Sequence, residues 1–189
     1  MTRTFHFGTP TDFQVEMYTR VLKGHISIDK QIFPVGTPGC FLDILSRQHL
    51  WQAGRNFIHG TGHGVGAALN VHEGPHRIGP VLDAQGLFPG MIVSNEPGYY
   101  EENAFGIRIE NLLAVVEKKE LGQYAGKSFV GFEKLTHIPI QRTMIKKALL
   151  TQEEIDWINT YHQEVYQKIV PLVTSERAKK WLLTATAPL

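Results

Sequence analysis

The chain has 189 residues, enough for one domain with a substantial core. Hydrophobic residues make up 42% and charged residues 20%, as in ordinary globular chains, and no apolar run approaches a membrane span. A net charge of +1 gives no broad attraction to nucleic acid or anionic membrane, so neither is an expected partner.

Residues 2–7 alternate and predict a strand, with no signal-type apolar core over residues 1–11, so a cytoplasmic setting is expected. Thr11-Asp12-Phe13-Gln14 has the pattern of a capping box. It predicts a helix running toward residue 32, with Phe13, Met17, Val21 and Ile28 near helical spacing. Residues 34–39 read as a turn and 41–53 as a second helix that stops at Gly54. Cys40 is the single cysteine, which excludes an intrachain disulfide, and its apolar setting reads as a packed thiol.

Strands are expected over residues 58–116. Met91-Ile92-Val93 is a short buried strand, and Glu96 follows at its end, just before a Pro-Gly break. From Ile107 the pattern alternates, which puts Arg108 and Glu110 on one face and Ile107 and Ile109 on the other. Residues 112–116 are continuously apolar, as in a strand covered on both sides. Glu110 is then a carboxylate on a mostly buried strand, and it needs a cation or strong hydrogen bonds to stay charged. Residues 117–134, with charges and glycines, form a hairpin or a loop. Thr151-Gln152-Glu153-Glu154 is a second capping box. Ile155, Ile158, Tyr161, His162, Val165 and Ile169 give the helix behind it a face for packing or for a homodimer. Residues 175–184 read as a short closing helix. The basic groups Lys146-Lys147 and residues 177–180 read as solvated surface.

The chemistry lies between His59 and Glu110. Gly60, Gly62, Gly64 and Gly66 alternate with Thr61, His63 and Val65, so His63 is presented by backbone that leaves room for a close ligand. Then come Val71-His72-Glu73-Gly74-Pro75, Ser94-Asn95-Glu96-Pro97-Gly98-Tyr99-Tyr100 and Arg108-Ile109-Glu110-Asn111. Taken singly, His63 reads as a hydrogen-bonded loop histidine, His72 as a turn residue and Glu110 as the partner of a base. Together and in this order they supply imidazole and carboxylate, the donors that divalent ions take. Single ligands spread over strand ends suit metal-assisted hydrolysis better than a structural zinc knot, which uses closely paired cysteines.

These motifs resemble those of the pita-bread metallopeptidases. Within that group they are most similar to the Xaa-Pro aminopeptidases of the cytosolic type. The likeness continues through Leu135-Thr136-His137-Ile138-Pro139-Ile140-Gln141 and covers essentially the whole chain. It implies an α+β pita-bread fold, a curved antiparallel sheet with helices on one side. Residues 1–189 would be the C-terminal part of a catalytic domain, with a helical extension over about 151–189. It also implies two divalent ions, usually manganese, held by two aspartates, one histidine and two glutamates. By position the metal ligands here are His63, Glu96 and Glu110. The same carry-over makes His59 and His72 substrate contacts, and Glu96 and His72 the catalytic pair, with Glu96 assisting proton transfer. The implied substrates are peptides with proline second, cleaved to release the N-terminal residue.

The chain departs from the family pattern at its start. The family reads aspartate, any residue, then Thr-Arg-Thr, whereas this sequence begins Met1-Thr2-Arg3-Thr4. The second ligand aspartate would fall one residue before Met1 and the first further upstream. Asp12, Asp29, Asp43, Asp83 and Asp156 sit in other contexts. The expectation is an N-terminally truncated catalytic domain, inactive alone, that binds no metal or one ion loosely. Two other readings stay open: a prolidase-type Xaa-Pro dipeptidase, and a metal-free pita-bread module that binds peptides or proteins.

Overall fold

A computed structural model describes residues 1–68, 70–82 and 85–189, so Asp83 lies outside the described residues. The capping box at Thr11 is formed. The Thr11 hydroxyl accepts from the Gln14 N–H while the Gln14 side chain accepts from the Thr11 N–H, which opens α1 (Asp12–Asp29). The helix stops short of residue 32 because Phe33 leaves to pair with Val130 in β1 (Phe33–Pro34). Helix α2 (Cys40–Trp51) follows, and Gly54 beyond it takes φ +66°, the left-handed geometry that glycine adopts freely. Cys40 opens this helix half-buried rather than packed away.

The strands are β2 (Gly62–His63), β3 (Arg77–Ile78), β4 (Ile92–Asn95), β5 (Gly98–Glu101), β6 (Phe105–Arg108), β7 (Asn111–Glu117), β8 (Gln123–Tyr124) and β9 (Lys127–Lys134). The main sheet runs β1-β9-β7-β4, with β8 on the start of β9, and every pairing is antiparallel. β2–β3 and β5–β6 are separate two-stranded ribbons. Residues 117–134 are thus a hairpin. The strand expected over residues 2–7 reduces to one bridge, Arg3 to Ile109. The continuous strand expected from Ile107 breaks at Ile109 and Glu110, where pairing passes from β5 to β4 and Glu110 donates its N–H to Thr2 O. Glu110 therefore sits in the joint between β6 and β7, not within a strand. β7 is covered on one face rather than two. Leu113 and Val115 are fully buried, and Leu112, Ala114 and Val116, which alternate with them, are half-buried.

Two apolar clusters hold these elements. Val93, Leu113, Val115 and Val130 of the main sheet pack with Ile28 of α1 and Leu42 of α2, so the helices cover one face. The second cluster joins α1, Tyr99, Ile107 and Ile109 to α3 (Gln152–Ile169) and α4 (Glu176–Ala185). Ile158, Tyr161 and Val165 lie in that core, so this face of α3 is used for packing. No described helix is long and apolar enough to cross a membrane.

Two histidines are buried in this core. His25 Nδ1 meets Ile109 O at 3.2 Å, and His162 Nε2 accepts the Ile140 N–H at 3.1 Å. Burial, then the positive charge of Arg3, pushes His25 down to about 3. Burial, then Arg142, pushes His162 down to about 4. In the unfolded chain both titrate near ~6.5. Below that pH the unfolded chain takes up protons that the folded one refuses. The stabilisation is full above about 6.5 and is lost as pH falls toward the folded values, by roughly 1.4 kcal/mol per pH unit for each group. Melting at pH 5 is accordingly expected well below that at pH 7. His162→Gln, which keeps an acceptor for Ile140, should shrink the gap. Equal midpoints at the two pH values would show that the histidines are not buried neutral.

Candidate metal centre

The site is built where β2 crosses onto β4. Gly64 bridges to Val93, Val65 N donates to Ile92 O at 3.1 Å, and Glu96 N donates to Thr61 O at 2.7 Å. Gly62 makes this approach possible, since a Cβ there would lie 1.7 Å from Ser94 O. The Ser94 hydroxyl ties both motifs together. It accepts the His63 N–H at 2.9 Å and donates to Glu96 Oε1 at 2.9 Å.

His63 Nδ1 lies 2.9 Å from Gly64 O, an oxygen that can only accept. That contact takes a proton on Nδ1 and turns Nε2 inward as the nitrogen able to ligate a cation. Nε2 stands 3.2 Å from Glu96 Oε1. Glu110, 5% exposed, brings its carboxylate to the same point, and one donor atom from each of His63, Glu96 and Glu110 falls within 4.8 Å of the others. The amino group of Met1 stands 3.6 Å from Glu110 Oε1. A lone pair and two carboxylates aimed at one point repel one another unless a cation lies between them. This donor set fits a divalent ion of the manganese–zinc range.

A cleft of about 610 Å³ opens over these donors and is lined by His59, His63, His72, Glu96 and Arg108 among others. His59 Nδ1 meets Gly60 O at 2.8 Å and Nε2 meets the Tyr100 hydroxyl at 2.8 Å. Burial lowers its pKa, opposed by the Gly60 contact. The neutral ring is therefore proton donor at Nδ1 and acceptor at Nε2. Tyr100 in turn accepts from Arg108 Nε at 2.8 Å, and Arg108 Nη1 stands 3.5 Å from Glu96 Oε2. His72 is exposed at the mouth, its ring edge-on to His63 with centroids 4.2 Å apart. Four of the five residues singled out in the sequence thus line one cleft, and the fifth, Glu110, lies against His63 and Glu96 beneath it. Arg108, Tyr100 and Ser94 were not singled out. The parity that put Arg108 on the face of Glu110 was the available signal for the first. Tyr100 is told from buried Tyr99 only by the pleat of β5.

The chain matches the model of metallopeptidase family M24 over residues 1–117 and that of the C-terminal region of peptidase M24 over residues 128–189. It is 51% identical over its whole length to aminopeptidase P2 of Arabidopsis thaliana, covering 27% of that protein. It is 50% identical to a probable Xaa-Pro aminopeptidase P of Coprinopsis cinerea, covering 31% of it. The chain therefore spans under a third of these relatives. An X-prolyl aminopeptidase of Caenorhabditis elegans, described as a cytosolic enzyme with a di-nuclear active site, superposes with a TM-score of 0.90 at 39% identity, over 99% of this chain and 30% of that one. A prolidase of Pyrococcus furiosus gives 0.59 at 31% identity, over 72% and 36%. With its α+β pita-bread architecture, this chain belongs to metallopeptidase family M24.

Proposed function

We propose that this chain is the metal-binding part of a metalloaminopeptidase that releases the N-terminal residue from peptides with proline second, acting in the cytoplasm. Residues 1–189 form the C-terminal part of its catalytic domain, with about 151–189 as a helical extension. His63, Glu96 and Glu110 are metal ligands, and manganese is the metal. His59 and His72 contact the peptide. Glu96 and His72 serve the proton transfers. The observation that carries this reading is the convergence of His63, Glu96 and Glu110 within 4.8 Å beneath a cleft lined by His59 and His72.

When bound, divalent ions supply Lewis acidity, which makes hydroxide available near neutral pH and polarises the scissile carbonyl. The chain's own residues do the rest. The Glu96 carboxylate, oriented by Ser94 and neutralised in part by Arg108, holds a proton between water and the leaving amine. His59, kept neutral, can receive a proton at Nε2 once a substrate displaces Tyr100 from it.

Titration of manganese into the 189-residue chain tests the ligand set. Two unit charges 4 Å apart repel by about 4 kcal/mol at an effective dielectric of 20, and two divalent ions by about four times that. Two carboxylates and one imidazole do not offset this, so about one loosely held ion per chain is expected. Hydrolysis by this chain alone should be slow for the same reason. Two tightly held ions per chain would overturn the assignment. In the full-length parent, comparison of an Xaa-Pro dipeptide with a longer Xaa-Pro peptide separates the readings. Cleavage of the dipeptide alone favours a prolidase. Peptide binding with no metal uptake favours a binding module.

A further inference from the structure

We propose that Asp43 and Arg47 of α2 are positioning residues for the cleft, setting the backbone that carries His59 and the backbone that anchors Glu96. The inference rests on the roles proposed above for His59 and Glu96.

The pair is buried, with Asp43 3% and Arg47 6% exposed, and it is held by two hydrogen bonds, Nε to Oδ2 at 2.7 Å and Nη2 to Oδ1 at 3.0 Å. Arg47 spends its remaining N–H groups on the chain leading to the site. Nη1 donates to Phe57 O at 2.6 Å and Asn56 Oδ1 at 3.3 Å, and Nη2 donates to His59 O at 2.7 Å. All five donors of the guanidinium are thereby used, in a fork that an ammonium cannot reproduce. Arg47 also stacks on the Phe57 ring at 4.0 Å, and that ring stands 4.8 Å from His59. The remaining capacity of Asp43 Oδ1 goes to Thr61, from its N–H at 3.1 Å and its hydroxyl at 2.7 Å. Thr61 O then receives the Glu96 N–H. One ion pair on a helix therefore fixes three backbone positions of residues 57–61, which form no regular strand of their own. An α2 stabilised merely by an i,i+4 pair would need none of these contacts.

Arg47→Lys and Asp43→Asn test the proposal, since both keep size and one keeps the charge. Each is compared with the parent chain after circular dichroism shows that it is folded at the working temperature. Two readouts are taken. Nitrogen-15 NMR of the metal-free chain reports the His59 ring, which should lose its single Nδ1–H form and its contact with Tyr100. Manganese titration should show affinity reduced at least about tenfold, the lower end of what loss of an outer support costs a metal site. Folded variants with an unchanged His59 signal and unchanged manganese affinity would assign the pair to stability alone and overturn the proposal. If the parent chain takes up no manganese, the ligand reading stays undecided by this titration, and the His59 signal alone decides this proposal. Should Asp43→Asn not fold, Thr61→Val removes one of the contacts to Asp43 while leaving its buried pair with Arg47 intact, and is read the same way.

Discussion

Glu96→Gln is expected to lower manganese affinity at least about 100-fold, beyond what loss of an outer support costs, and to reduce peptide turnover by roughly 10²–10⁴ wherever turnover is measurable. Oε1 of Glu96 faces the His63 lone pair at 3.2 Å and accepts from Ser94, while Oε2 faces Arg108. A glutamine must present its NH2 group at one of these positions. Placed at Oε1, it turns two donors toward the hydroxyl of Ser94 and the point where a cation would sit. Placed at Oε2, it faces the guanidinium. Neither orientation is neutral, and the negative charge is gone in both. Calorimetric titration of the two chains side by side is the check, and equal affinities would remove Glu96 from the ligand set.

Gly62→Ala should be nearly as damaging without altering any functional group. The new methyl would stand 1.7 Å from the backbone oxygen of Ser94, which no side-chain rotation relieves. β2 would have to lift from β4, breaking the Ser94 link to His63 and the Glu96 N–H bond to Thr61. A loss of at least about 3 kcal/mol is expected, the upper range for overpacking, against a total of roughly 5–15. Gly60→Ala is the control. Its Cβ would find Ile78 O at 3.4 Å, an ordinary contact, so its effect should stay within about 1 kcal/mol. Urea unfolding of both variants gives the answer, and similar midpoints for the two would show that β2 and β4 do not meet as closely as described.

The glycines between His59 and Val65 look alike in the sequence but act differently in the fold. A Cβ on Gly62 or Gly64 meets backbone oxygens, one on Gly66 meets only the carboxylate end of Glu73, and Gly60 has room. Alternation shows that something must come close; it does not say what. The same holds for strand limits. Ile107 and Ile109 are buried in the core, while Arg108 lines the cleft and Glu110 turns its carboxylate to His63 and Glu96, as parity requires. The break at Ile109 and Glu110 follows from which strand lies alongside, and no residue pattern records it.

What the sequence determined by itself was local or compositional. Both capping boxes formed because their partners are three residues apart. The class of chemistry followed from imidazole and carboxylate in ordered motifs. His59, His63, His72, Glu96 and Glu110 were named from those motifs; the first four line one cleft, and Glu110 meets His63 and Glu96 beneath it. The tertiary structure alone decided that Tyr100 links His59 to Arg108 at the cleft. It also decided that Asp43, which the sequence left without a role, ties a helix to the loop carrying His59. These contacts join residues far apart along the chain, 18 residues for Asp43 with Thr61 and 41 for His59 with Tyr100. A hydrogen bond leaves no mark on the residues that make it, so only the packing of α2 beside β3 and the loop before β2 could bring these to light.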